Sequence, residues 1–247
     1  MKIIACIYRP WILDPRVHPV KEAIPTATGY SFPSGHTTNA TNLFGGLVLR
    51  GHLSKALKII LIAGILLVGF SRIYLGVHTI IDVSFAIIFT LIILVFFSKL
   101  YDMLDEKPNL NIIISSVAII IGILILIYTM TKSYPLDYNS AGKLIVDPAI
   151  MTIDTFKYVG LGVGVFLSWP IERRYIKFST EGTLKRKILR FICGLIPLII
   201  IKKCLSPLLG DDPLGGFLQF FVVMIFIMLI YPIIIKLFQK RNNQSKI

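Results

Sequence analysis

The chain has 247 residues, of which 55% are hydrophobic and only 16% charged, with a formal net charge of +13 and a mean hydropathy of +0.78. So few charges cannot wet a soluble globule of this size, and several apolar runs approach the roughly 20 residues that cross a bilayer. A soluble α-domain would need amphipathic runs, whereas most here are apolar all round. The expected fold class is all-α, a polytopic transmembrane helical bundle. The positive charges lie mostly between the apolar segments, so membrane topology explains them and no nucleic-acid partner is expected.

In chain order, residues 1–33 are polar and rich in proline and basic groups, reading as a loop or surface segment. About seven spans follow, near 36–53, 56–74, 78–98, 110–131, 152–170, 188–207 and 216–238. The first is the least apolar: Thr37, Thr38, Asn39, Thr41 and Asn42 suit a protein interior or cavity better than lipid. Basic connections at 50–58 (Arg50, Lys55, Lys58), 99–109 (Lys99, Lys107) and 171–187 alternate with connections around 132–151 and 210–215. The basic tail (Lys240, Arg241, Lys246) continues the alternation, and 210–215 carries Asp211 and Asp212 without Lys or Arg. The positive-inside bias puts the basic loops in the cytoplasm and residues 1–35 and 71–78 outside. The basic N-terminal segment alone runs against that rule, as it would if it bound anions.

The absence of repeats or linkers points to one domain over 1–247, with a motif core in 1–100 and accessory spans in 101–247. The 171–187 stretch fits an interfacial amphipathic helix or a solvated loop equally. Asp154 is expected to cap a span, and Gly160, Gly162 and Gly164 to form a close helix contact. Cys6, Cys193 and Cys204 show no paired spacing, so neither a disulfide framework nor a metal site is expected.

The chemistry is concentrated between Gly29 and Asp82. In Pro33-Ser34-Gly35-His36, a serine and a glycine precede a helix, giving an N-cap and an approachable backbone. The free N–H groups of that first turn attract an anion, and His36 lies beside them. Farther on, His78 and Asp82 are four apart, so on a helix they share one face. A carboxylate on one imidazole nitrogen fixes the tautomer and leaves the other nitrogen to react. Arg72 offers a planar fork for phosphate oxygens. If the run from Leu57 to about Ile73 lies antiparallel to the helix starting near Ser34, both clusters meet at one end of an apolar hairpin. The competing readings are an ordinary cap and a structural His–Asp pair.

Ser71-Arg72-x5-His78-x3-Asp82, preceded by Pro33-Ser34-Gly35-His36 and by Lys2-x6-Arg9-Pro10, resembles the type 2 phosphatidic acid phosphatase superfamily, which includes the vanadium haloperoxidases. The resemblance implies that His78 is the nucleophile, that Asp82 orients it, and that His36 is the general acid. It also implies that Lys2, Arg9, Arg72 and the Ser34–Gly35 region bind phosphoryl oxygens, with no metal and no cofactor. In the family the first motif follows or ends a transmembrane helix, whereas Lys2 is the second residue here. That departure implies either a missing upstream segment or an anchor elsewhere in the fold.

The function so implied is a metal-independent integral membrane phosphatase acting on a lipid phosphate or diphosphate: an isoprenoid diphosphate, phosphatidate or phosphatidylglycerol phosphate. It would work through a phosphohistidine, at the extracytoplasmic face of what the composition hints is a bacterial plasma membrane. The expected partners are that substrate and membrane lipids. A lipid phosphotransferase would share the same residues. A transporter or structural membrane protein is the non-catalytic alternative, favoured only by the four spans that carry no motif. Arg16, His18 and Lys21 are either headgroup contacts or plain loop charges.

Overall fold

The computed structural model of the protein describes residues 1–107 and 109–244, without the side chains of 105, 106 and 240–244. Lys246 and the side chains of Lys240 and Arg241, used above for orientation, lie outside the described residues. The chain divides into two compact units, Met1–Lys107 with Ser133–Pro148, and Pro108–Lys132 with Ala149–Ile247. The described residues contain no strand, only an isolated bridge between Tyr138 and Leu144.

The first unit opens with two short turns, α1 (Lys2–Ala5) and α2 (Pro10–Leu13). Ser34 caps α3 (Gly35–Ala40), accepting from the Thr37 N–H. The helix continues through a π turn (Thr41–Gly45) into α4 (Gly46–Arg50), so residues 35–50 form one continuous rod. Ser54 caps α5 (Lys55–Tyr74) in the same way. Thr79 and Asp82 form a capping box at the head of α6 (Ile80–Glu106), each side chain accepting from the other's backbone N–H.

Contacts along these helices give their directions. Phe44 packs where a Cβ on Gly64 would lie, and Thr37 does so for Gly69, so α5 runs antiparallel to the 35–50 rod. Leu91 and Leu94 meet Gly45, and Arg50 reaches Ser98 and Asp102, so α6 runs parallel to it. The three helices converge at Thr37, Gly69 and Val83, where a Cβ on Gly69 would stand 2.7 Å from Val83 Cγ1. This convergence lies within one turn of His36, Arg72 and Asp82. The expected hairpin is therefore present, and it brings the two polar clusters to the same end. Gly76, in the α5–α6 turn, has φ +68, a left-handed conformation that glycine adopts without the steric cost of a Cβ.

The second unit holds α7 (Leu110–Thr131), α8 (Pro148–Ile171) with a π turn at its end (Glu172–Ile176), and α9 (Leu184–Leu209). It ends with α10 (Pro213–Ile225), which passes through a π turn (Phe226–Ile230) into α11 (Tyr231–Gln244). A Cβ on Gly160 would run into the Phe217 carbonyl, and one on Gly164 would stand 2.7 Å from Met224 Cβ. These positions let α8 and α10 approach side by side in parallel, the use small residues have in membrane interfaces. Lys236 donates to the Ile176 carbonyl at 2.6 Å, placing a cation on the open C-terminal end of α8 and its π turn.

All seven expected stretches are helical, and five are long and apolar enough to cross a membrane: Lys55–Tyr74, Ile80–Leu104, Leu110–Thr131, Pro148–Ile176 and Pro213–Gln239. Their side chains are largely exposed, Ile60, Leu67, Ile92, Phe96 and Ile120 among them, as lipid-facing surfaces require. The 35–50 rod and α9 are not among the five. The rod is short and polar, and α9 carries Lys185, Arg186, Lys187, Arg190, Lys202 and Lys203. Three further expectations change. Asp154 lies inside α8, 3.7 Å from Lys157, and caps nothing. Gly162 meets no atom within 4 Å of its would-be Cβ, so the close contact uses Gly160 and Gly164 alone. The 171–187 stretch is neither one amphipathic helix nor one loop: Arg173 and Arg174 extend α8, whereas Lys185, Arg186 and Lys187 open α9. The three cysteines are free thiols.

Candidate active site

His78 is 4% exposed and is held from both ring nitrogens. On one side, Arg9 Nη1 lies 3.0 Å from His78 Nε2. A guanidinium can only donate, so Nε2 is the accepting nitrogen and the ring proton sits on Nδ1. On the other side, Nδ1 lies 3.2 Å from Ser31 Oγ and 3.4 Å from Asp82 Oδ2. The Ser31 hydroxyl donates to Asp82 Oδ2 at 2.6 Å. Ser31 is therefore interposed: it receives the Nδ1 proton and passes its own hydrogen bond to the carboxylate, while the direct His–Asp contact is longer than a good N–H···O bond.

The His78–Asp82 pair does not arise from two positions on one helical face, as the spacing implied. His78 precedes the cap residue Thr79, and Asp82 is the third residue of α6. The capping box turns the carboxylate back toward the start of the helix, where the Thr79 N–H binds Oδ2 at 2.7 Å. With Thr79 and Ser31 both donating to Oδ2, the buried carboxylate is satisfied and fixed.

Arg9 is 4% exposed, and backbone oxygens fix its plane: Nε donates to Gly29, Nη1 to Val77 and Nη2 to Thr28, at 2.9–3.1 Å. Burial lowers its pKa to about 10, with Asp82 acting the other way, so it remains charged at neutral pH. Arg9 is consequently a built-in cation against the reactive edge of His78. Arg72 is half-buried; its Nε donates to Ser71 Oγ at 3.2 Å, and its Nη groups have no protein hydrogen bond among the described residues.

His36 is exposed, in the first turn of α3 and outside the five membrane-crossing stretches. Its pKa is lowered, first by desolvation and then by Arg72, Lys2 and Arg9. The pKa of His78 is also lowered, by burial above all; the bond to Asp82 opposes this, and Arg9 and Lys2 add to it. Lys2 and Arg9 thus act on both imidazoles, so the two histidines share one cationic neighbourhood. Ser34 is fully buried, and its hydroxyl is engaged with Thr37, so it serves the cap. No side chain or backbone lies within 4 Å of a would-be Cβ on Gly35, leaving the N-terminal backbone of the helix approachable. The Ser34 N–H binds the Asp82 carbonyl at 3.2 Å, tying the two motif regions together directly.

All eight expected residues gather at one end of the first unit. Arg16 instead pairs with Asp14 on the surface at 2.7 Å. Sequence reasoning passed over Ser31 and Thr79. Thr79-x2-Asp82 is a readable capping-box pattern, whereas Ser31 has no local signature beyond lying three residues before Ser34. Among the described residues, no three His, Cys, Asp or Glu side chains come together.

Residues 1–106 match the PAP2 superfamily, and residues 156–243 match the PAP2 superfamily phosphatase transmembrane extension. Phosphatidylglycerophosphatase B of Bacillus subtilis (strain 168) is 38% identical over 114 residues, which cover 43% of this chain. The chain spans about half the length of that relative, 53%. No solved structure is significantly similar. With the two matched segments falling one in each compact unit, the chain belongs to the PAP2 superfamily and carries the transmembrane extension of its phosphatases.

Proposed function

We propose that the protein is an integral membrane phosphatase that removes phosphate from a lipid phosphate through a phosphohistidine on His78. The observation that carries this reading is the state of His78: a neutral, buried imidazole with its proton on the Ser31–Asp82 side and its lone pair on the Arg9 side. Such a ring becomes the nucleophile once the Arg9 Nη1–H···Nε2 hydrogen bond gives way to the incoming phosphoryl group. Nε2 attacks phosphorus, the P–O bond to the lipid breaks, and His36 protonates the departing oxygen. Water, activated by His36, then attacks phosphorus and releases inorganic phosphate with His78 restored. Arg72, Lys2, Arg9 and the N–H groups at the start of α3 stabilise the charge that builds on the phosphoryl oxygens. Asp82 keeps the ring oriented and offsets the positive charge it acquires. In this account the cations supply the stabilisation, and no metal takes part.

The first unit carries the reaction and the second is an accessory membrane module. The positive-inside pattern supports an extracytoplasmic position for the site end of the helices, at headgroup level, so that a substrate keeps its tails in the bilayer. Phosphatidylglycerol phosphate is the first substrate to test, on the name of the Bacillus relative. Phosphate release from phosphatidylglycerol phosphate, phosphatidate and an isoprenoid diphosphate, measured for detergent-purified protein with and without EDTA, tests the reading. Turnover of at least one lipid in EDTA, abolished in His78→Ala, is expected. No release from any of them, or release that depends on added metal, overturns it.

A further inference from the structure

Residues 133–148 fall between the two matched segments, 1–106 and 156–243, yet they pack as part of the first unit. They form a small hairpin. Ile145 N–H donates to the Asp137 carbonyl and Asn139 N–H to the Lys143 carbonyl, both at 2.9 Å, and Val146 is buried at its base. Its Asp137 carboxylate accepts from the Tyr8 hydroxyl at 2.6 Å, the short distance expected of a charge-assisted bond. Together with burial, the largest cause, this bond raises the Tyr8 pKa to about 12, so the phenol stays protonated and donating.

Tyr8 is one residue from Arg9. Its ring packs on that of Tyr30 with centroids 5.7 Å apart, and Tyr30, fully buried, is one residue from Ser31. The Ser31 N–H also donates to the Ile7 carbonyl at 2.7 Å. Residues 7–9 and 29–31 thus form one paired layer. From that layer Arg9 reaches Nε2 of His78, and Ser31 reaches Nδ1. The hairpin grips the layer at Tyr8, on the residue next to the guanidinium.

We propose that Asp137 is a positioning residue for catalysis: through its bond to Tyr8, the 133–148 hairpin holds the paired 7–9 and 29–31 segments so that Arg9 and Ser31 stay on His78. The proposal rests on the phosphatase reading above. The groups facing His78 are Lys2 of α1, Arg9 before α2, Ser31 before α3 and Asp82 of α6. Of these, the latch bears most directly on Arg9. A cation at Nε2 holds the imidazole pKa down, so loosening Arg9 lets that pKa rise.

The test uses the 247-residue chain in detergent with Tyr8→Phe, Asp137→Ala, Asp137→Asn and the double variant Tyr8→Phe/Asp137→Ala. Lys143→Ala, at the exposed tip of the same hairpin, is the control. Tyr8→Phe and Asp137→Ala are each expected to lower kcat by about fivefold, and the double variant by no more than either alone. The maximum of their kcat/KM profile should move to higher pH, while Asp137→Asn, which keeps an acceptor oxygen, should recover most of the activity. Wild-type rates in the single variants, additive losses in the double, or a kcat/KM maximum that stays put would overturn the proposal. Failure of the phosphatase reading looks different, because the wild-type protein would then release no phosphate at all.

Discussion

Arg9 Nη1 lies 3.0 Å from His78 Nε2, while three backbone carbonyls, those of Thr28, Gly29 and Val77, hold the rest of the guanidinium in place. The position of the cation is therefore set by the planar fork and not by charge alone. Arg9→Lys keeps the charge but leaves buried carbonyls without donors. Each lost bond to a charged group costs about 1.5–3 kcal/mol, so kcat/KM for phosphate release is expected to fall by at least about tenfold. A lysine variant with wild-type kinetics would show that charge is all the site needs from this position.

Ser31 stands between His78 Nδ1 and Asp82 Oδ2, with both side chains buried. Removing its hydroxyl costs Asp82 its shortest bond and leaves the ring proton with the 3.4 Å contact alone. Ser31→Ala is expected to lower kcat by roughly tenfold, with little change in KM, because a buried hydrogen bond to a charged group is worth on the order of 1.5–3 kcal/mol. Steady-state kinetics in which KM changes and kcat does not would place Ser31 in substrate binding instead.

Both imidazoles have their pKa below the ordinary 6.5, His78 chiefly through burial and His36 through desolvation with Arg72, Lys2 and Arg9 adding to it. The nucleophile must be neutral and the general acid protonated. The maximum of kcat/KM lies between the two values, whichever imidazole has the lower one. With both lowered, that maximum is expected on the acid side of pH 6.5. A pH–rate profile for the free protein that peaks above pH 7 would contradict this pairing of roles.

In the second unit, Gly160 and Gly162 form a matched test two residues apart. A Cβ on Gly160 would meet the Phe217 backbone, which cannot turn aside as a side chain can, whereas one on Gly162 would meet nothing within 4 Å. Gly160→Ala is expected to cost about 1–3 kcal/mol through overpacking and to lower the thermal unfolding midpoint in detergent. Gly162→Ala should leave it near that of the wild-type protein. Equal midpoints for the two variants would mean that α8 and α10 do not pack as described.

Much of this was legible in the sequence because the bilayer imposes long apolar helices, and those announce themselves by length and hydropathy. The gathering of His36, Arg72, His78 and Asp82 was legible on one condition, that the apolar run from Leu57 to about Ile73 fold back antiparallel to the helix starting near Ser34. What spacing could not show is how His78 and Asp82 come together. Four residues apart is a helical repeat, but the pair straddles a helix cap, and a capping box does the work that a shared face was expected to do. Ser31 and the 133–148 hairpin were silent for a different reason. Their roles depend on contacts between segments far apart in the chain, such as Tyr8 with Asp137, 129 residues away, and no local pattern encodes such a pairing.

Trapping the reaction tests the central claim most directly. Protein turning over a lipid phosphate labelled in its phosphoryl group is quenched in alkali, digested, and the labelled peptide mapped by mass spectrometry. The account predicts a single phosphoryl group on Nε2 of His78, absent in His78→Ala and accumulating in His36 variants that attack but cannot complete hydrolysis. Label on another residue, or steady phosphate release by His78→Ala, would contradict it.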